Sequence, residues 1–224
     1  LGLGRAPGTD QATMRVLRRG LGVTGDEFPE LLAELRRFLA PATPGQVIRA
    51  VPGEGSNVPI WLLGSGGFSA QLAGQLGLPF AFAGHFSPDN LRHGLELYHR
   101  SFRPSETLSQ PYAMVGVNVF AAETDEEAGR LSTSHAQGVL NLVRGTPAKL
   151  PPPVDSMEGR WSPAEEAAVA NFMRGSIVGR PERVRDALTA LVKETGVNEI
   201  IIHSMIYDPA ARRHSYEIVA EVWK

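Results

Sequence analysis

Val58 to Phe82, VPIWLLGSGGFSAQLAGQLGLPFAF, reads as strand, glycine-rich turn, helix, strand. Pro59–Leu63 is the first apolar run, Ser69–Leu76 the helix and Pro79–Ala83 the second run. Short apolar strands separated by a helix point to a parallel βα unit, because parallel neighbours need a crossover connection. The turn Gly64-Ser65-Gly66-Gly67 lies between strand and helix, where small residues let a backbone approach a ligand closely. The unpaired N–H groups opening the helix attract an anion, usually a phosphate.

The same rhythm extends downstream. Helix Asp89–Phe102 carries Leu91, Leu95, Tyr98 and Phe102 on one face, and strand Tyr112–Phe120 follows. Helix Asp125–Leu142 opens on Thr124 with Glu127 at the capping-box position, and helix Pro163–Met173 opens on Ser162. Between them Thr146 to Met157, with Pro151-Pro152-Pro153, reads as an irregular excursion. Gly179-Arg180-Pro181 opens a helix that runs through Val192 and stops at Gly196; strand Glu199–Ile206 and helix Ala210–Trp223 close the chain.

Upstream, Leu1–Gly4 reads as the end of a strand with no initiator methionine, so the expectation is a fragment whose upstream part is missing. A short basic helix around Met14–Arg19 precedes an amphipathic helix near Glu27–Leu39, and Gln46–Val51 is expected as a short strand. About five strands alternate with helices and no hairpin signal interrupts them. Two architectures suit that series: an open doubly wound sheet and part of a (β/α)8 barrel. Both place function at the carboxyl ends of the strands.

The 224 residues include 42% hydrophobic and 21% charged side chains, ordinary for a globular protein and enough for a sizeable core. A net charge of −2 supplies no field favouring nucleic acid or an anionic membrane. No cysteine is present, which excludes disulfides, thiolate metal sites and a cysteine nucleophile and fits a cytoplasmic location. No apolar run approaches a membrane span and no signal peptide is visible. HExxH, EF-hand, Walker A, GxSxG and GxGxxG motifs are all missing. No catalytic residue is identifiable and no metal site is expected.

His85 directly follows strand Pro79–Ala83, so it is the candidate substrate-facing side chain; the competing reading is a loop histidine bonded to backbone. His203 is expected in the last strand, packed in the sheet or at its mouth. His93 and His99 fall on different faces of one helix, while His135 and His214 read as helix-surface residues. Ser65 has no base beside it and is better used as a phosphate donor than as a nucleophile.

Leu1–Asp10 (LGLGRAPGTD), Val51–Phe86 and Gly196–Tyr207 together resemble the luciferase-like flavin-dependent monooxygenases, in order along nearly the whole chain. The resemblance implies one domain over residues 1–224: a partial (β/α)8 TIM barrel from roughly strand four to the C-terminus, lacking about three βα units. It implies a flavin mononucleotide (FMN) phosphate held by Gly64, Ser65, Gly66, Gly67 and Phe68, with Arg5 pairing to the phosphate or helping to close the site. A guanidinium suits that role because its fork of donors reaches two oxygens at once. Phe68 departs from the luciferase subunit, which has a phosphate-contacting threonine there. A second phosphate arginine lacks a counterpart near Phe28–Pro29, leaving Arg15, Arg18 or Arg19 as substitutes.

The implied activity is oxidation of a small organic substrate by O2 and reduced FMN supplied by a separate flavin reductase, in a homodimer when intact. The rival expectations are a flavin- or phosphate-binding protein without turnover, and a deazaflavin-dependent relative on the same barrel.

Overall fold

A computed structural model describes residues 1–5 and 27–223. The helix expected around Met14–Arg19 lies outside the described residues, as do Arg15, Arg18 and Arg19. Strand β1 (Gly2–Gly4) is followed by α1 (Phe28–Leu39), β2 (Trp61–Gly64), α2 (Gly67–Leu76) and β3 (Phe80–Phe82). Next come one tight helical turn (Pro88–Asn90), α3 (Leu91–Ser101), β4 (Ala113–Ala121), α4 (Asp125–Val143) and α5 (Pro163–Met173). The chain ends with β5 (Ile177–Gly179), α6 (Pro181–Thr195), β6 (Glu199–His203) and α7 (Pro209–Val222).

Among the described residues six strands form one sheet, and every pairing among them is parallel. The order β1-β2-β3-β4 follows the sequence, as successive βα units require. Strand β4 is long enough to serve two partners along one edge: Met114–Asn118 pair with β6, and Val119–Ala121 pair with β5.

Alternation along the strands sorts the side chains. Leu62, Phe80, Phe82, Val115, Val117 and Val119 point to one face, where they pack with Ala70 and Ala73 of α2, Leu95 and Tyr98 of α3, Val184 and Leu188 of α6, and Ile218 and Val219 of α7. The opposite face carries Leu63, Ala81, Met114 and Glu199 in one register row, with Gly116 beside Ile201 and Asn118 beside His203 further on. Among the described residues that second face is open: Leu63 is 40% and Ile201 57% exposed. Helices α4 and α5 enclose smaller apolar clusters around Phe120 and Met157 near the carboxyl end of β4.

Local chemistry sets the helix boundaries. The Thr124 hydroxyl accepts from Glu127 N–H at 3.1 Å, and Ser162 and Glu165 close a reciprocal capping box. The Arg144 guanidinium at the end of α4 donates to Glu165 at 2.7 Å and, with the Ser162 bonds, holds that carboxyl down at about 2. Tyr98 joins α3 to the sheet: its buried hydroxyl accepts from Tyr112 N–H at 3.0 Å and lies 3.0 Å from the Leu78 carbonyl.

One expectation is overturned. Gln46–Val51 is not a strand; Val47 is 93% exposed, and the Gln46 side chain donates to the Ile48 carbonyl at 2.9 Å, closing a local loop with no strand partner. The described residues hold six strands where about five were expected, since Ile177–Gly179 pairs with the far end of β4. Three residues are too few for any alternation to register.

Candidate functional site

Strand β2 ends at Gly64, and α2 begins three residues later at Gly67, two residues before the expected Ser69. The strand-to-helix return is tight: a Cβ on Gly64 would lie 2.6 Å from the Ser69 Cβ, so any side chain there drives the helix off the strand. Gly66 is the N-cap, in extended conformation, and no side chain caps the helix. Its first turn holds no acidic residue, and the position of a Cβ on Gly66 has nothing within 4 Å. Among the described residues no side chain caps the N–H groups at this positive end of the helix dipole.

Arg5, just past β1, places its guanidinium 4.4 Å from the centroid of the Phe68 ring. All six residues proposed around the phosphate thus converge on one turn at the carboxyl ends of β1 and β2. Phe68 meets the arginine through its ring face, a cation–π contact.

The loop after β3 joins this turn to a second group. The Ala83 N–H donates to the Gly64 carbonyl at 2.8 Å, and the Ser87 hydroxyl to the Ser65 carbonyl at 3.2 Å. Between them sits His85, whose ring lies over β4: a Cβ on Gly116 would be 2.6 Å from its Nδ1. Phe86 packs edge-on to His85 at 4.4 Å, and the His203 ring is 5.6 Å away. Asn118, 1% exposed, donates from Nδ2 to the His85 carbonyl at 2.7 Å while its Oδ1 meets His203 Nδ1 at 2.8 Å.

His135 on α4 is buried, which corrects its expected place on the helix surface. It is 8% exposed, stacked on Phe120 at 5.6 Å and tilted against Phe172 at 6.0 Å. Helical periodicity alone places it beside Leu131 and Val139, i and i+4 neighbours that are also buried, and that was the available signal. Burial lowers its pKa to about 4, with the His203 and His85 charges adding to the effect. Burial lowers His85 as well, followed by His203, while the Gly116 backbone beside it, out of ordinary hydrogen-bond geometry, pulls weakly upward. Burial lowers His203 too. In all three the shift favours the neutral imidazole. Among the described residues no group of three His, Asp or Glu side chains is placed to hold a metal ion.

The other histidines stand apart. His93 and His99 lie on α3, and His214 on α7 is exposed and bonded to Glu123 at 2.9 Å, which raises its pKa. Among the described residues no helix is long and apolar enough to cross a membrane.

A parallel βα sheet with a bare helix N-terminus at one strand end suits many proteins, and comparison with known ones narrows the choice. The sequence profile described as luciferase-like monooxygenase matches residues 1–199. The chain belongs to the luciferase-like monooxygenase family. YvbT of Bacillus subtilis (strain 168) is 56% identical across 100% of this chain and 67% of its own length. A luciferase-like monooxygenase of Escherichia coli (strain K12) is 46% identical across 99% of this chain and 66% of that protein. Among solved structures, apo-MsnO8 superposes with a TM-score of 0.89 at 32% identity, over 100% of this chain and 68% of that one. The chain thus spans about two thirds of the length of these relatives. The parallel sheet of this luciferase-like chain corresponds to part of the TIM barrel of its structural neighbours.

Proposed function

We propose that the protein is a flavin-dependent oxidoreductase, a monooxygenase acting on a small organic substrate with reduced FMN and O2. One observation carries the cofactor assignment: the uncapped, acid-free N-terminus of α2 at the end of β2, with the Arg5 guanidinium held against the same turn. The absence of any described atom within 4 Å of a Cβ on Gly66 supports room for a phosphate there, and family membership in the luciferase-like monooxygenases supports the reaction class.

When bound, reduced FMN would supply the electrons that activate O2. The chain's own residues would anchor and orient. The first N–H groups of α2 bind phosphate oxygens, Ser65 adds a hydroxyl, and Arg5 offsets the charge. The Ser87 bond to the Ser65 carbonyl ties the turn to the His85 loop, next to the histidine side of the rim. The Phe86 ring and the imidazoles of His85 and His203, whose burial favours the uncharged form, would line the histidine side of the bound cofactor.

A second reading, flavin or phosphate binding without turnover, is favoured by Phe68, which removes a hydroxyl donor from the anchor. Titration with oxidised and reduced FMN, a deazaflavin and inorganic phosphate, followed by oxygen uptake with a flavin reductase, separates these. The oxygenase reading expects reduced FMN to bind and oxygen uptake to rise with substrate. FMN binding with no uptake leaves the binding protein, preference for deazaflavin replaces the cofactor, and no flavin binding at all ends the proposal.

A further inference from the structure

Asn118 is buried on β4 and uses both ends of its amide. A carbonyl can only accept, so the His85 carbonyl fixes which end of the amide is NH2. The opposite end is then the oxygen, and it too can only accept. His203 must therefore carry its proton on Nδ1 to make the 2.8 Å contact. In the neutral ring that leaves Nε2 as a bare lone pair, and among the described residues nothing bonds to it. The ring sits in register with Asn118 on the open face of the sheet, 5.6 Å from His85, whose loop is bonded to the glycine turn.

We infer that Asn118 is a positioning residue that holds His203 as its Nδ1–H tautomer, so that the bare Nε2 accepts a hydrogen bond from a neutral hydroxyl or N–H group of the organic substrate. The surroundings decide the chemical class. Among the described residues neither His85 nor His203 touches a carboxylate, so a cationic substrate gains no counter-charge there. A substrate offering only acceptors would set its lone pair against that of Nε2. A neutral donor is the partner that satisfies His203 Nε2, and a site built for a donor rejects the analogue lacking it. Glu199, on the same strand, is engaged by the Tyr112 hydroxyl at 2.7 Å and lies further down the sheet.

The substrate role rests on the oxygenase reading; the tautomer does not. Heteronuclear NMR of the imidazole nitrogens in the full chain at neutral pH tests the tautomer directly. It is expected to show His203 protonated at Nδ1 and bare at Nε2. Asn118→Asp keeps an acceptor and is expected to keep that tautomer, whereas Asn118→Leu is expected to lose it with secondary structure intact. n-Hexanol and methyl pentyl ether, equal in heavy atoms, then serve as probes. The alcohol is expected to shift the Nε2 resonance and to bind about fivefold more weakly after His203→Leu, the loss of one hydrogen bond; the ether is expected to do neither. An Nε2–H tautomer overturns the positioning role even if the Leu variant fails to fold. Equal responses to both probes, or none, overturn the substrate class. FMN titration on the same samples reports separately, since its failure sinks the oxygenase reading and leaves the tautomer result standing.

Discussion

The glycine turn before α2 and the histidine cluster at the ends of β3, β4 and β6 share one rim of the sheet and are built in opposite ways. The turn is local: adjacent residues, backbone donors, and a helix dipole that any sequence of this shape would have. The histidine group is assembled from separate segments: the Asn118 side chain bonds the His85 carbonyl and the His203 ring, the His85 and His203 rings lie 5.6 Å apart, and His135, buried against Phe120, feels the charge of both. A backbone site withstands most substitutions that keep the turn. A side-chain site depends on each partner's protonation and orientation.

Damage to the turn's geometry gives the largest expected effect. Gly64→Val sets a Cβ inside contact distance of Ser69, so α2 must shift. Stability should fall by about 3 kcal/mol, the upper range for overpacking, and FMN affinity by about a hundredfold. Thermal melts and flavin fluorescence would read both, and an unchanged FMN affinity would detach the turn from the cofactor.

Acid should strike the cluster and spare the turn. The folded pKa of His135, about 4, lies below the ordinary value near 6.5, so the unfolded chain binds more protons in that window. Its contribution is fully present above about pH 6.5 and is lost as pH falls towards about 4. The loss reaches about 3 kcal/mol at most. Urea unfolding at about pH 7 and about pH 4.5 measures it. His135→Leu should flatten that slope; an equally steep slope in the variant would assign it to other groups.

Charge placed at the helix mouth sharpens the contrast further. Gly66→Asp has room for its side chain and caps α2, so melting should stay level or rise slightly. The new carboxylate would repel a phosphate, weakening FMN binding by on the order of 2 kcal/mol. A variant that melted normally and bound FMN as before would move the phosphate elsewhere. Arg5→Met is the mildest change: it keeps bulk over Phe68 and removes the charge. A loss of about 1 kcal/mol in FMN affinity is expected, in keeping with one partly exposed cationic contact.

Most of the regular elements were legible because they rest on short-range physics. Helix Pro163–Met173 carries its own capping box, and the βα rhythm from Pro59 onward follows from apolar runs and glycine turns. The same logic misread Gln46–Val51, whose β-forming residues never find a neighbour, and passed over Ile177–Gly179, which is a strand only because β4 extends far enough to pair with it. His135 was misplaced because one polar residue on an amphipathic helix reads as exposed until two aromatic rings are known to enclose it.

The sequence by itself determined the parallel βα order and the glycine turn, since periodicity, caps and small residues act within a few positions of themselves. Tertiary structure alone decided that Arg5 meets Phe68, and that Asn118 lies between His85 and His203. Those contacts join residues up to 85 positions apart, and no local signal encodes them. Only the register of β4 against β6 brings the amide to the ring, and with it the proton to Nδ1.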